Sequence, residues 1–137
     1  MKRVLGPALA ALTLAACGGW DTPPRAIATP STAAAGTDCG TFDLPQGESL
    51  PDSAVRCLVE AVRAGRPARL QVTRPTVEGD PIPVTYTAGT DGRVEVITDS
   101  RQDSFGTPII TRETCTGPIL ASQLEFAECS EPTPVGK

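Results

Sequence analysis

Residues 50–74 read LPDSAVRCLVEAVRAGRPARLQVTR, and within this stretch the spacing of apolar side chains changes from helical to alternating. Val55, Leu58, Val59 and Val62 recur at i, i+3, i+4 and i+7, which places them on one stripe of a helix. Pro51 suits a first helical position, where its missing N–H costs nothing, and Asp52 sets a negative charge at the positive end of the helix dipole. Gly65 is placed to end the helix, and Pro67 keeps it from resuming. From Ala68 onward the period is two, because Leu70 and Val72 alternate with polar neighbours as in a strand with one buried face.

The alternation continues downstream. Ile82, Val84 and Tyr86 repeat it in PIPVTYT, Val94 and Val96 in RVEVIT, and Ile109 and Ile110 open a fourth segment that runs to Cys115. QLEFAEC, residues 123–129, adds a fifth candidate through Leu124 and Phe126. Glu78-Gly79-Asp80-Pro81 reads as the first turn, and Asp91-Gly92 as a two-residue hairpin turn. Gly106 and Pro108 re-aim the chain into the fourth strand, with Phe105 folded inward as core. Short connections make neighbouring strands antiparallel. The expected fold class is therefore α+β: one helix packed on an antiparallel meander sheet of four or five strands, with two disulfides. One sheet face lies under the helix, and the other is polar or free for a partner.

Upstream, Lys2 and Arg3 precede an apolar run from Val4 to Ala16, the charged and apolar regions of a secretory signal. That run falls short of the about 20 apolar residues a membrane-spanning helix needs. It ends in Leu14-Ala15-Ala16-Cys17, which resembles the lipobox of bacterial lipoproteins. The resemblance implies cleavage before Cys17 and a diacylglycerol on its thiol. Two acyl chains would hold the mature chain on its membrane, since each buried methylene contributes roughly 0.8 kcal/mol. The expected location is the extracytoplasmic face of the cell membrane.

Residues 18–37, GGWDTPPRAIATPSTAAAGT, lack apolar periodicity and read as a tether with a span of roughly 25 Å. Trp20 suits the headgroup interface of the membrane as well as a free tail. The expected organisation is a signal peptide over 1–16, the acylated Cys17 and tether over 17–37, one domain over 38–130 and a frayed tail over 131–137.

Cys17 being the odd cysteine, Cys39, Cys57, Cys115 and Cys129 remain, an even number in a small exported domain. Three pairings are possible. Cys39 with Cys57 and Cys115 with Cys129 is favoured because each closes a loop of under twenty residues. Loops of that length contribute about 3 kcal/mol each on the chain-entropy account. The domain's sparse large aromatic content makes such covalent help valuable.

Composition excludes much chemistry. The chain has no histidine, which removes Ser-His-Asp and Cys-His catalysis and most zinc and iron sites. Beyond Lys2 its only lysine is Lys137, so Schiff-base chemistry has no candidate. No C-x-x-C spacing or phosphate loop is present. Loss of Lys2 and Arg3 leaves ten basic against sixteen acidic side chains, which argues against nucleic acid or an anionic lipid surface as a partner. No cofactor or metal is expected. The candidate site residues are the acids Glu78, Asp80, Asp99 and Asp103: a pair at suitable separation could hydrolyse glycosides, and such oxygens also suit Ca²⁺, though D-x-D-x-D-G is missing.

E-G-D-P-I at Glu78–Ile82, D-x-x-x-D-x-F-G at Asp99–Gly106 and the closing pair Cys115 and Cys129 are similar to a domain-of-unknown-function family of small secreted bacterial lipoproteins. The likeness spans Val55 to Cys129. It implies the lipoprotein reading and a Cys115–Cys129 bond, leaving Cys39 and Cys57 as an addition in this chain, bonded to each other. It implies no activity. The expected function is thus a membrane-anchored, non-catalytic module that binds an unidentified protein or small ligand. The alternatives are a small carboxylate-dependent hydrolase and an inhibitor-like domain presenting the Glu78–Pro81 turn to an exported enzyme.

Overall fold

The computed structural model describes residues 36–121 and 123–136. The signal segment 1–16, Cys17, Trp20, the tether as far as residue 35 and Lys137 lie outside them. The described chain runs β1 (Thr37–Asp43), α1 (Asp52–Arg63), β2 (Ala68–Pro75), β3 (Pro81–Ala88), β4 (Arg93–Asp99), β5 (Ile110–Leu120), β6 (Leu124–Cys129) and β7 (Thr133–Pro134). All strands belong to one sheet ordered β1-β2-β3-β4-β5-β6, with β7 also paired to β5. The class is α+β, with seven strands where four or five were expected.

The helix forms where its periodicity placed it. Ala54, Val55, Leu58, Val59, Ala61 and Val62 are buried, Asp52 lies in the first turn and Arg63 in the last. Pro51 is the residue before the first turn rather than within it, held extended at φ −57° and ψ 135°. At the other end Gly65, at φ +60°, donates its N–H to the Val62 carbonyl, and Arg66 donates to that of Ala61. This is the paired closure in which a glycine accepts the left-handed conformation and the last carbonyls find partners.

Of the two strands not expected, β1 and β7, the longer is β1. It pairs with β2 in parallel, joined through α1 as a β-α-β crossover. Its sequence, TDCGTFD, shows no alternation because the register shifts between Asp38 and Thr41. Gly40 sits in that bulge at φ +104°, its N–H bonded to Asp38 Oδ1 at 2.9 Å, and a Cβ there would press on the Phe42 ring. The bulge lets both Cys39 and Phe42 join the core despite their odd spacing.

From β2 to β5 the sheet is an antiparallel meander. Leu70, Val72, Tyr86, Val94, Val96 and Cys115 bury one face. The opposite face carries rows of polar side chains, such as Arg69, Thr87, Glu95 and Thr114, which lie side by side across the strands. The connection between β3 and β4 spans residues 89–92, longer than the two-residue turn expected, and closes through the Gly89 N–H on the Arg93 carbonyl.

The helix does not cover the inner face alone. In a flat sheet β6 would stand three strand spacings from β3, about 14 Å. Yet the Tyr86 and Phe126 rings stack with centroids 6.2 Å apart, and Arg74 Nη1 on β2 donates to Gln123 Oε1 at 2.8 Å. The outer half of the β5–β6 hairpin therefore folds back across the inner face, beside the helix. Gly117, at φ +61° and with Ala127 Cβ against the place its own Cβ would occupy, lies where β5 passes from β4 to β6 alone.

Both favoured disulfides are present. Cys39–Cys57 ties β1 to α1, and Cys115–Cys129 joins residues directly opposite each other on β5 and β6. Thr133 and Pro134, in the segment read as a tail, form β7 along the first half of β5, and Val135 donates its N–H to the Ile110 carbonyl at 2.8 Å.

Candidate functional site

Asp99 ends β4, and the other three candidate acids sit on two connections at the same end of the sheet, Glu78 and Asp80 on residues 76–80 between β2 and β3 and Asp103 on residues 100–109 between β4 and β5. The first is a tight turn. Thr76 N–H donates to the Asp80 carbonyl at 2.8 Å, Gly79 N–H to the Thr76 carbonyl at 3.0 Å, and Asp80 N–H to Thr76 Oγ1 at 3.1 Å. Gly79 has φ +98°, a conformation that a side chain would strain. Gln46, from the connection after β1, adds its Nε2 to the Val77 carbonyl at 3.2 Å.

The second connection is organised by its own aspartates. Asp103 Oδ1 accepts the N–H groups of Phe105 at 3.0 Å and Gly106 at 2.8 Å, an aspartate standing in for a backbone turn. Gly106 has to lack a side chain, since a Cβ would collide with the Asp103 carboxylate. Asp99 holds Arg101 through both oxygens, with Nε at 2.9 Å and Nη2 at 2.7 Å, and accepts the Arg101 N–H as well. The side-chain bond from Arg101 keeps the Asp99 carboxyl below the usual aspartate range, against the smaller opposing effect of burial.

One bond joins the two connections: Ser104 N–H donates to Asp80 Oδ2 at 2.8 Å. The E-G-D-P-I and D-x-x-x-D-x-F-G stretches, seventeen residues apart along the chain at their nearest, are thus one folded unit. Glu78 remains exposed on the turn. Asp80, Asp99 and Asp103 each have an oxygen already occupied in folding the loops.

Phe105, expected as core, points outward and is 78% exposed, and Val77 across the Asp80–Ser104 bond is 82% exposed. The correction has a local cause. The Asp103 turn fixes the backbone on both sides of Phe105, and the inner face it would have filled is occupied by Phe126 and Tyr86. Apolar character alone did not distinguish these positions from core. The available signal was Phe105 wedged between two polar turn formers and glycine, in D-S-F-G.

Catalytic use of the acids would need two of them to face a common cleft with free oxygens. Four surface clefts of about 390, 210, 460 and 390 Å³ are lined by other residues and include none of Glu78, Asp80, Asp99 and Asp103. Among the described residues, Glu113, Cys115 and Cys129 bring three potential metal-ligand atoms within 4.8 Å of one another, but both sulfurs belong to the disulfide. No described helix is long and apolar enough to cross a membrane. Comparison with known protein families, curated proteins and solved structures finds no match.

Proposed function

We infer that this chain is a lipid-anchored, non-catalytic binding module displayed on the extracytoplasmic face of a bacterial membrane. The anchoring half of this reading is supported by the lipobox-like Leu14–Cys17 behind a charged and apolar start, and by the low-complexity stretch that follows it. The binding half is carried by one observation: three of the four candidate acids, Asp80, Asp99 and Asp103, are engaged in folding two loops, and those loops hold Val77 and Phe105 out to solvent.

The inhibitor-like variant of this reading has its own support. A turn that blocks an enzyme must be rigid and must protrude. Residues 76–80 are braced by three internal bonds and three external ones, while nothing lies within 4 Å of the place a Cβ would take at Gly79. The hydrolase variant lacks comparable support.

The anchor is tested by cell fractionation of the wild type and of Cys17→Ser, with labelled fatty acid supplied to the cells. The expected result is a labelled wild-type chain that sediments with membranes and an unlabelled variant that does not. Wild-type chain free in the culture fluid with an unmodified Cys17 would overturn the reading.

A further inference from the structure

We propose that the loop end of the sheet is a protein-docking surface, with Val77 and Phe105 as its apolar centre, and that its partner is an exported protein offering an apolar hollow bordered by Arg or Lys. This inference rests on the binding-module reading and adds where binding occurs and to what chemistry.

The large exposed hydrophobic side chains among the described residues are Val77 and Phe105, followed by Ile119 at 46% and Leu120 at 45%. Scattered singly they would need no explanation. They are not scattered. Gln46 binds the Val77 carbonyl, Asp80 binds Ser104 next to Phe105, and Arg74, two residues before Thr76, binds Gln123 at the tip of the hairpin that carries Ile119 and Leu120. Two of these links end on the β2–β3 turn, and the third on Arg74 in β2 just before it. Val77 and Phe105 are also held still, because their backbones are fixed by the Gln46 and Asp103 bonds. A preorganised aromatic binds at a lower ordering cost than one on a mobile loop.

Charge selects the partner. This end carries Glu48, Glu78, Asp80 and Asp103 on its connections and Asp99 at the end of β4, against the guanidinium groups of Arg101 and Arg74. An anionic lipid surface would repel such a rim. A second copy docking by the same end would set two acidic rims face to face, which is unfavourable at an interface. A cationic border around an apolar hollow is the complement, so the rim steers the encounter and the two side chains supply the anchor.

The test is photocrosslinking in intact cells, with a photoreactive residue placed in the full lipidated chain at position 105, at position 77, or at Thr87 on the polar sheet face. Positions 105 and 77 should give one discrete protein adduct that Thr87 does not. In a chain labelled at 77, Phe105→Ser should lower its yield about tenfold, as loss of a central aromatic anchor does. Glu78→Arg should lower it as well, and so should high salt, which screens the rim. An unchanged melting temperature in both variants separates lost docking from lost folding. Adducts with lipid alone, adducts of twice the chain's own mass, or equal yields at 105 and 87 would each overturn the docking surface. A protein adduct confined to Thr87 would overturn it while leaving the binding-module reading intact.

Discussion

The region under α1 and the loop end of the same sheet are held by opposite means. Beneath the helix, Leu58, Leu70 and Val94 are completely buried, and the Cys39–Cys57 bond fastens the helix to the sheet edge. At the loop end, polar groups do the folding: carboxylates bind backbone N–H groups across 24 residues of sequence and within single turns, and the apolar side chains face water. Burial orders the first region without regard to direction. Hydrogen bonds order the second with fixed geometry, and so free its hydrophobic side chains from any duty in the core. A small domain can thereby display an aromatic ring without weakening itself.

The largest effect should come from breaking the buried region. Leu58→Ala removes a fully buried side chain from the helix stripe and should cost about 3 kcal/mol, read as a lowered urea midpoint with an unchanged slope. Replacing both Cys39 and Cys57 by Ala should cost about 3 kcal/mol or slightly less, leaving the Cys115–Cys129 bond intact by mass. At the loop end the scale falls. Asp80→Ala leaves the Ser104 N–H without its partner and should cost about 1 kcal/mol, with faster amide exchange confined to residues 76–80 and 100–109.

Acid sharpens the contrast further. Asp99 has a native pKa below the usual value near 3.9, so its ionised form is favoured by folding. Its contribution is complete above that usual value and is lost as the pH falls through the lower native one. Asp99→Asn should flatten this part of the acid limb, by under about 1 kcal/mol for so open an ion pair. Smallest of all, Phe105→Ser should shift stability by no more than about 0.5 kcal/mol, since the ring touches mainly solvent. A large loss there would mean that Phe105 is structural and would erase the distinction between the two regions.

The parts of the fold legible from sequence are those with an unbroken local period. Val55, Leu58, Val59 and Val62 in the helix, and Leu70, Val72, Tyr86, Val94 and Val96 in the strands, are buried as their spacing required. The cysteine pairing was legible because short loops limit the choices. β1 was not, because the bulge at Gly40 interrupts its alternation and its partner, β2, lies across the helix. The fold-back of the β5–β6 hairpin left no local mark either, being a contact between β6 and strands far from it in the sheet. At the candidate site the acids were legible as residues, but not as a folding device. Asp80 and Ser104 meet only once the meander brings the two connections side by side.

The Cys39–Cys57 bond has a mechanical consequence. A pull entering from the N-terminal side reaches the domain at Thr37 and meets the bond two residues later. From Cys39 the load passes through sulfur directly to the middle of α1, so the stretch from 40 to 56 lies outside the force path and cannot be peeled away strand first. If the module is fastened at its N-terminus and gripped at its loop end, as proposed, tension is taken by a covalent shortcut before it reaches the hydrogen bonds of the remaining strands.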